Sequence, residues 1–312
     1  MKKKANVKKK INLLKRGGEK FLIKRIWNII LILAITLITF TNKVSADEIN
    51  KRYFVNNNNI IMTSQEYNNL INLGFSKKEI LNMTISEFDE NKYLIGKIES
   101  TNEKYYRVIT KYDNSNNVIS TITEEINEYK YNNSNQIVSR TLDGYSETNY
   151  KKMRSQVISL TYGYRYKMSV EWKNIPSTRS YDIIGIGIDS NVYISSDITF
   201  QQNYCYNSGS CSSSNVSVIK NSTTGGAALF KLPTSNTITS MDSYIYFMVS
   251  KSSSETINTM YAYGDYSHAV RNTSSSNSNY YSINSGGLNL YSSIIESYDE
   301  VPVTKATWTG SW

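Results

Sequence analysis

Histidine, cysteine and proline are scarce in this sequence of 312 residues, which has one histidine, two cysteines and three prolines. A zinc site needs three or more histidine and cysteine ligands, so a zinc centre is disfavoured. The nucleophile motif Gly-x-Ser-x-Gly is absent, and so is a glycine-rich phosphate-binding loop. We therefore expect no metal ion, no cofactor and no enzymatic activity.

An excess of positive charge is also absent from most of the chain, although the formal net charge is +9. Residues 1–46 contain 12 of the basic residues and one acidic residue, which leaves 23 basic and 25 acidic residues in 47–312. A net charge of −2 without a basic stripe disfavours nucleic acid as a partner.

The first 46 residues have the pattern of a secretory signal peptide. A lysine-rich stretch precedes an apolar run, Ile26–Phe40, and the small-x-small site Val44-Ser45-Ala46 follows. Fifteen helical residues span only about 22 Å, less than the roughly 30 Å of a bilayer core. We expect cleavage between Ala46 and Asp47 and a secreted chain without a stable membrane anchor. An uncleaved anchor helix is the alternative.

The two cysteines, Cys205 and Cys211, flank the polar segment 206–210. An even number of cysteines in an exported chain favours a disulfide, and two free thiols are the alternative. We expect Phe200–Tyr204 to be a strand that ends at Cys205, with Val216–Ile219 as its possible return strand.

Residues 60–92 carry three successive helix-start signals, each a hydroxyl residue followed three positions later by glutamate. The pairs are Thr63 with Glu66, Ser76 with Glu79, and Thr84 with Glu87. We predict three short helices in 60–92, after a polar linker in 47–59.

Residues 93–150 change to the two-residue period of strands, with Tyr106, Val108 and Thr110 on one face. Residues 111–120 and 130–139 are a repeat that resembles tyrosine-aspartate repeats, with Asn116 and Asn135 where a turn requires a left-handed backbone. The pattern predicts a β-meander.

Residues 151–312 predict an antiparallel β-sandwich. Alternation from Tyr164 to Trp172 indicates a half-buried strand, and the apolar run Tyr244–Val249 indicates a central one. Gly185 and Gly187 share a strand face, where glycine lets another backbone approach closely. The predicted fold is mainly β: a small N-terminal helical unit, a short β-meander and a C-terminal antiparallel β-sandwich.

Aromatic residues near the C-terminus form the candidate binding surface. Its members are Tyr261, Tyr263, Tyr266, His268 and Trp308. Aromatic rings with hydroxyl groups suit sugar or envelope-polymer binding, although tyrosines in strands also serve as core residues. The alternative is a catalytic role for His268 with the nearby Asp265, but no nucleophile motif accompanies them. If the protein were a glycosidase, its candidate catalytic carboxylates would be Glu171, Asp182 and Asp189.

Two segments resemble parts of a family of exported, mostly uncharacterised Firmicute proteins. This family is taken to include the geobacillin-type large bacteriocins. The segments are Trp172–Ile188 and Tyr261–Val270, and the helical stretch Tyr67–Phe88 is similar as well. The resemblance covers most of residues 60–312 and implies an unmodified, secreted antibacterial protein. It assigns no functional residue.

Two functions follow as hypotheses. The first is a secreted, non-enzymatic, bacteriocin-like antibacterial protein, and the second is an extracellular adhesin or a module that binds cell-wall glycans. A pore-forming toxin and a secreted hydrolase are further alternatives. In either main case the expected partner is the bacterial cell envelope or a wall polymer.

The secreted protein is expected to begin at Asp47, because signal peptidase requires small residues at the first and third positions before the cleaved bond. Mass spectrometry of its N-terminal peptide checks this. Ala46→Leu should block processing at this site, whereas a secreted chain that retains residues 1–46 would contradict the prediction.

Overall fold

The computed structural model describes residues 53–214 and 218–312. The predicted signal peptide, with its cleavage site at Ala46 and Asp47, lies outside the described residues. Within these, no helix is long and apolar enough to cross a membrane.

Antiparallel strands dominate the described chain, as the sequence pattern predicts. The first half contributes β1 (Tyr53–Val55), β2 (Ile61–Thr63), β3 (Gly96–Asp113), β4 (Val118–Ile126), β5 (Ile137–Thr141), β6 (Gly144–Leu160), β7 (Gly163–Trp172), β8 (Tyr181–Ile188) and β9 (Val192–Ile194). The second half contributes β10 (Thr199–Tyr206), β11 (Cys211–Ser214), β12 (Val218–Ser222), β13 (Gly225–Lys231), β14 (Ile238–Lys251), β15 (Thr259–Ser267), β16 (Tyr281–Asn284), β17 (Gly287–Leu290) and β18 (Thr304–Thr309).

Two of the sheets that these strands form face each other as a β-sandwich. The larger has the order β11-β10-β14-β7-β6-β3-β4, with β9 beside β14 and β5 beside β6. The smaller has the order β12-β13-β8-β15-β18. Alternate residues of both sheets fill the space between them, among them Met168, Ile186 and Phe247. Period-two alternation puts these side chains on one face of each strand.

Three short helices cover the outer face of the larger sheet: α1 (Ser64–Asn72), α2 (Lys77–Asn82) and α3 (Ile85–Asn91). The three predicted capping boxes are all present, because each hydroxyl accepts from the glutamate N–H and each glutamate accepts from the cap N–H. Leu70, Phe75 and Ile80 pack on Ile158 and Tyr244 of the sheet.

The prediction of a half-buried strand at Tyr164–Trp172 was wrong for its polar face. Arg165 and Lys167 alternate with the core residues of β7, yet they are 1% and 0% exposed because the helices cover them. Residues 54–59, predicted as linker, also belong to this cover. Asn56 is buried and donates to the carbonyls of Ile80 and Met83, at 3.2 and 2.8 Å.

The boundary predicted between residues 150 and 151 falls inside β6, so the meander and the sandwich share one sheet. Contacts join Phe54–Trp312 into one compact unit. The two repeat copies also differ in structure. Asn116 has a φ of 64° in the turn between β3 and β4, whereas the second copy spans the end of helix α4 (Glu128–Asn132) and β5.

The predicted disulfide between Cys205 and Cys211 is present. It closes the hairpin of β10 and β11, in which these two residues face each other. The predicted return strand was wrong, because β11 begins at Cys211 and the later strand β12 belongs to the smaller sheet.

The C-terminal hairpin of β16 and β17 crosses the outer face of the smaller sheet at Gly185 and Gly187, where the sequence predicts a close backbone approach. A Cβ atom at Gly187 would lie 2.2 Å from the carbonyl oxygen of Asn284, and one at Gly185 would lie 3.0 Å from Leu288. These glycines therefore allow a second layer to cover the sheet.

Gly187→Ala should lower the free energy of unfolding by about 1–3 kcal/mol, because the hairpin backbone must move to admit a methyl group. Urea denaturation measures this change. Gly286→Ala is the matched control, since its Cβ would meet nothing nearer than 3.3 Å. Equal destabilisation by the two substitutions would contradict the expected close packing.

Candidate functional site

The predicted aromatic surface divides between the two faces of β15 and β18. Tyr261 and Tyr263 are half-buried on the outer face. Tyr266 is fully buried, and His268 and Trp308 are 4% and 8% exposed. The five residues therefore do not form one binding surface, because strand alternation sends Tyr266 and Trp308 into the core.

The two tyrosines on the outer face already have a cation above them. Lys305 of β18 lies 3.8 Å from the centre of the Tyr261 ring and 5.3 Å from that of Tyr263. This contact is a cation–π interaction within the chain. A sugar that stacked on these rings would have to displace Lys305.

His268 pairs with Asp182 of β8, so Asp265, its neighbour in the catalytic alternative, is not its partner. His268 Nδ1 lies 3.0 Å from Asp182 Oδ2, and the same carboxylate accepts from the Tyr266 hydroxyl and from the backbone N–H of Ala269. Asp265 faces the C-terminal hairpin and accepts from the backbone N–H of Leu288 at 3.0 Å.

An ion pair lies next to this network and joins β6 to the segment that precedes β18. Lys151 and Asp299 are both 0% exposed and form a salt bridge. Asp299 also accepts from the backbone N–H of His268, at 2.8 Å. The acid–base groups around His268 are thus paired with one another and buried, which suits a structural role.

A second buried cluster joins the helices to the sheet. Lys167 of β7 donates to both oxygens of Glu79 in α2, at 2.8 and 2.9 Å. Burial alone would raise the pKa of Glu79, but Lys167 and Arg154 lower it to about 2. Burial lowers the pKa of Lys167 to about 8 despite the attraction of Glu79. The pair is an ionised bridge at neutral pH.

Asp242 of β14 lies beside this cluster without a strong partner of its own. One carboxylate oxygen accepts from Asn203 at 3.2 Å, and the other has no hydrogen-bond partner among the described residues. Burial raises the pKa of Asp242 to about 7, with Lys78 opposing and Glu79 adding to the rise. Burial likewise raises the pKa of Asp265 to about 7.

An open groove of about 570 Å³ lies against β4. One wall is the strand itself, from Val118 to Thr123. The other wall consists of residues that lie after β15: Arg271, Ile295, Glu296, Tyr298, Glu300 and Pro302. Ligand sites in proteins have volumes of about 300–1,000 Å³, so the groove has a suitable size.

The groove presents acidic side chains and an open strand edge. Glu296 and Glu300 are exposed, and Arg271 lies 3.9 Å from Glu296. Because β4 is the last strand of its sheet, its outer edge has no strand partner in the described chain. Backbone N–H and C=O groups along such an edge are available to a ligand.

Across residues 53–214 and 218–312, no group of three or more histidine, cysteine, aspartate or glutamate side chains is arranged to hold a metal ion. The chain matches no family model, and no curated protein matches it.

Sequence reasoning missed both the Asp182 partner and the groove. Asp182 and His268 are separated by 86 positions, and the groove joins β4 to residues more than 140 positions later. Local patterns carry no signal for such pairings. The available signal for the groove was the uncharged stretch from Val118 to Thr123, which precedes two glutamates.

The free energy of unfolding should fall as the pH rises from about 5 to about 7.5. Asp242 binds its proton more tightly when folded, since its pKa of about 7 exceeds the ordinary 3.8. Folding therefore takes up a proton between these values, and stability decreases as the pH rises through this range. Asp265 contributes in the same direction.

Urea denaturation at the two pH values tests this dependence. Asp242→Asn keeps the side-chain shape without the charge, so its stability should change less with pH than that of the wild type. Asp197→Asn, at an exposed position, is the control and should behave like the wild type. An unchanged pH dependence in Asp242→Asn would disprove the assignment.

Proposed function

We propose that the chain is an exported, non-enzymatic protein that binds the bacterial cell envelope and acts there as a bacteriocin-like antibacterial protein. One observation carries the binding role: the acid–base groups around His268 are buried and paired, whereas the groove beside β4 is open. A hydrolase would need reactive groups that reach its substrate.

Export is supported by the N-terminal pattern and by the disulfide, since disulfides persist in oxidising compartments. The antibacterial part of the proposal rests on the resemblance of Trp172–Ile188 and Tyr261–Val270 to exported Firmicute proteins. A binding protein without a reactive site is consistent with that implied activity.

An adhesin or glycan-binding module is the second candidate. Tyr261 and Tyr263 favour it, because both rings reach the outer face of the smaller sheet and remain partly exposed. Their stacking on a sugar would require Lys305 to leave its position above Tyr261.

Purified 47–312 should be retained on cell walls of related Gram-positive bacteria and should inhibit their growth in a spot-on-lawn assay. Retention without inhibition would favour the adhesin. The proposal would be refuted if the protein were not retained by any wall in a broad panel and inhibited none of the strains. Tyr263→Ala tests the tyrosine pair, and Tyr162→Ala, an exposed turn residue, is its control.

A further inference from the structure

The stretch Val118–Thr123 of the outer strand β4 lacks the protection that the other outer strands of the two large sheets possess. Strand edges are commonly protected by charged residues, above all lysine, or by short length. β5, β12 and β18 carry Arg140, Lys220 and Lys305, whereas β9 and β11 have three and four residues. From Val118 to Thr123, β4 has neither a charged residue nor proline.

The regular part of β4 contributes residues to the groove. A bulge at Ile119 shifts the register of β4 near its start, and from Ser120 onward each residue pairs regularly with β3. Ser120, Thr121 and Thr123 also line the groove. Threonine and isoleucine favour strand geometry. A strand added to the free edge of β4 would therefore pair with an ordered backbone, and its side chains on the groove side would approach Glu296 and Glu300.

We propose that the groove binds an extended, lysine- or arginine-containing peptide, which adds to β4 as a further strand. This inference deepens the proposed function and rests on it, since it names the ligand class of the same groove. The backbone edge selects a polypeptide, because an extended peptide presents amide groups at the spacing of a strand. The second wall selects basic side chains, because Glu300 has no ion-pair partner among the described residues and Glu296 has only the distant Arg271.

Charge argues against a second copy of the chain as the occupant. Pairing of β4 with β4 of another copy would bring the walls of Glu296 and Glu300 of both copies to one interface. Glu124 and Glu125 of β4 already form ion pairs with Arg107 and Lys104. Like charges placed together across an interface oppose association. A basic segment of a different protein is therefore the better match.

The test uses a synthetic peptide of the same length as β4, with alternating valine and lysine, titrated onto 47–312 by calorimetry at low salt. Two further peptides separate the backbone from the side chains. One carries N-methyl groups at alternate residues and cannot add as a strand, and the other has glutamate in place of lysine. Only the parent peptide should bind measurably.

Two variants locate the binding. Thr121→Lys places a guarding cation in the groove and should abolish binding, while Glu296→Gln with Glu300→Gln should weaken it up to about tenfold, the range expected for two exposed ion pairs. Glu255→Gln, an exposed site outside the groove, should bind like the wild type. Unchanged affinity in both groove variants, or equal binding of the N-methylated peptide, would overturn the proposal.

Further outcomes distinguish this inference from the proposed function. If 47–312 binds walls and inhibits growth but not the peptide, the peptide site is wrong and the function stands. If 47–312 binds the peptide but is not retained on walls and does not inhibit growth, the peptide site stands and the proposed function is wrong. A dimer in sedimentation that Thr121→Lys dissociates would identify a second copy as the occupant and overturn the inference.

Discussion

Charge neutralisation on the two central strands β6 and β7 is the constraint on which the layered structure depends. Lys151 and Lys167 are fully buried, one on each face of the larger sheet. An unpaired buried ion costs several kcal/mol, so both faces need a carboxylate from another layer. Glu79 comes from the helices and Asp299 from the segment before β18. Loss of either cover would leave a buried lysine without its counter-charge.

Features that depend mainly on neighbouring residues were predicted correctly from the sequence. The capping boxes located α1 to α3, the alternation located β7, and Gly187 indicated a close backbone approach. What covers a strand is not encoded near that strand. The polar face of β7 therefore looked solvent-exposed, although the helices bury Arg165 and Lys167.

The same limit explains why the candidate site was predicted poorly. Residues close in sequence, such as Asp265 and His268, suggested a pair, but β8 brings Asp182 to the histidine instead. Tyr261 and Tyr266 have opposite parity along one strand and reach different faces. The groove depends on which strand ends the sheet, and the order of strands follows from tertiary packing rather than from any one segment.

The order of strands also bears on when this chain can fold. β8 lies between β13 and β15, and β7 pairs with β14, so several neighbours in the sheets are separated by several dozen residues along the chain. Folds dominated by such distant pairings form slowly, because long loops must close before contacts stabilise them. β18, which completes the smaller sheet, is the last strand along the described part of the chain. The smaller sheet can therefore be completed only after β18 has joined β15.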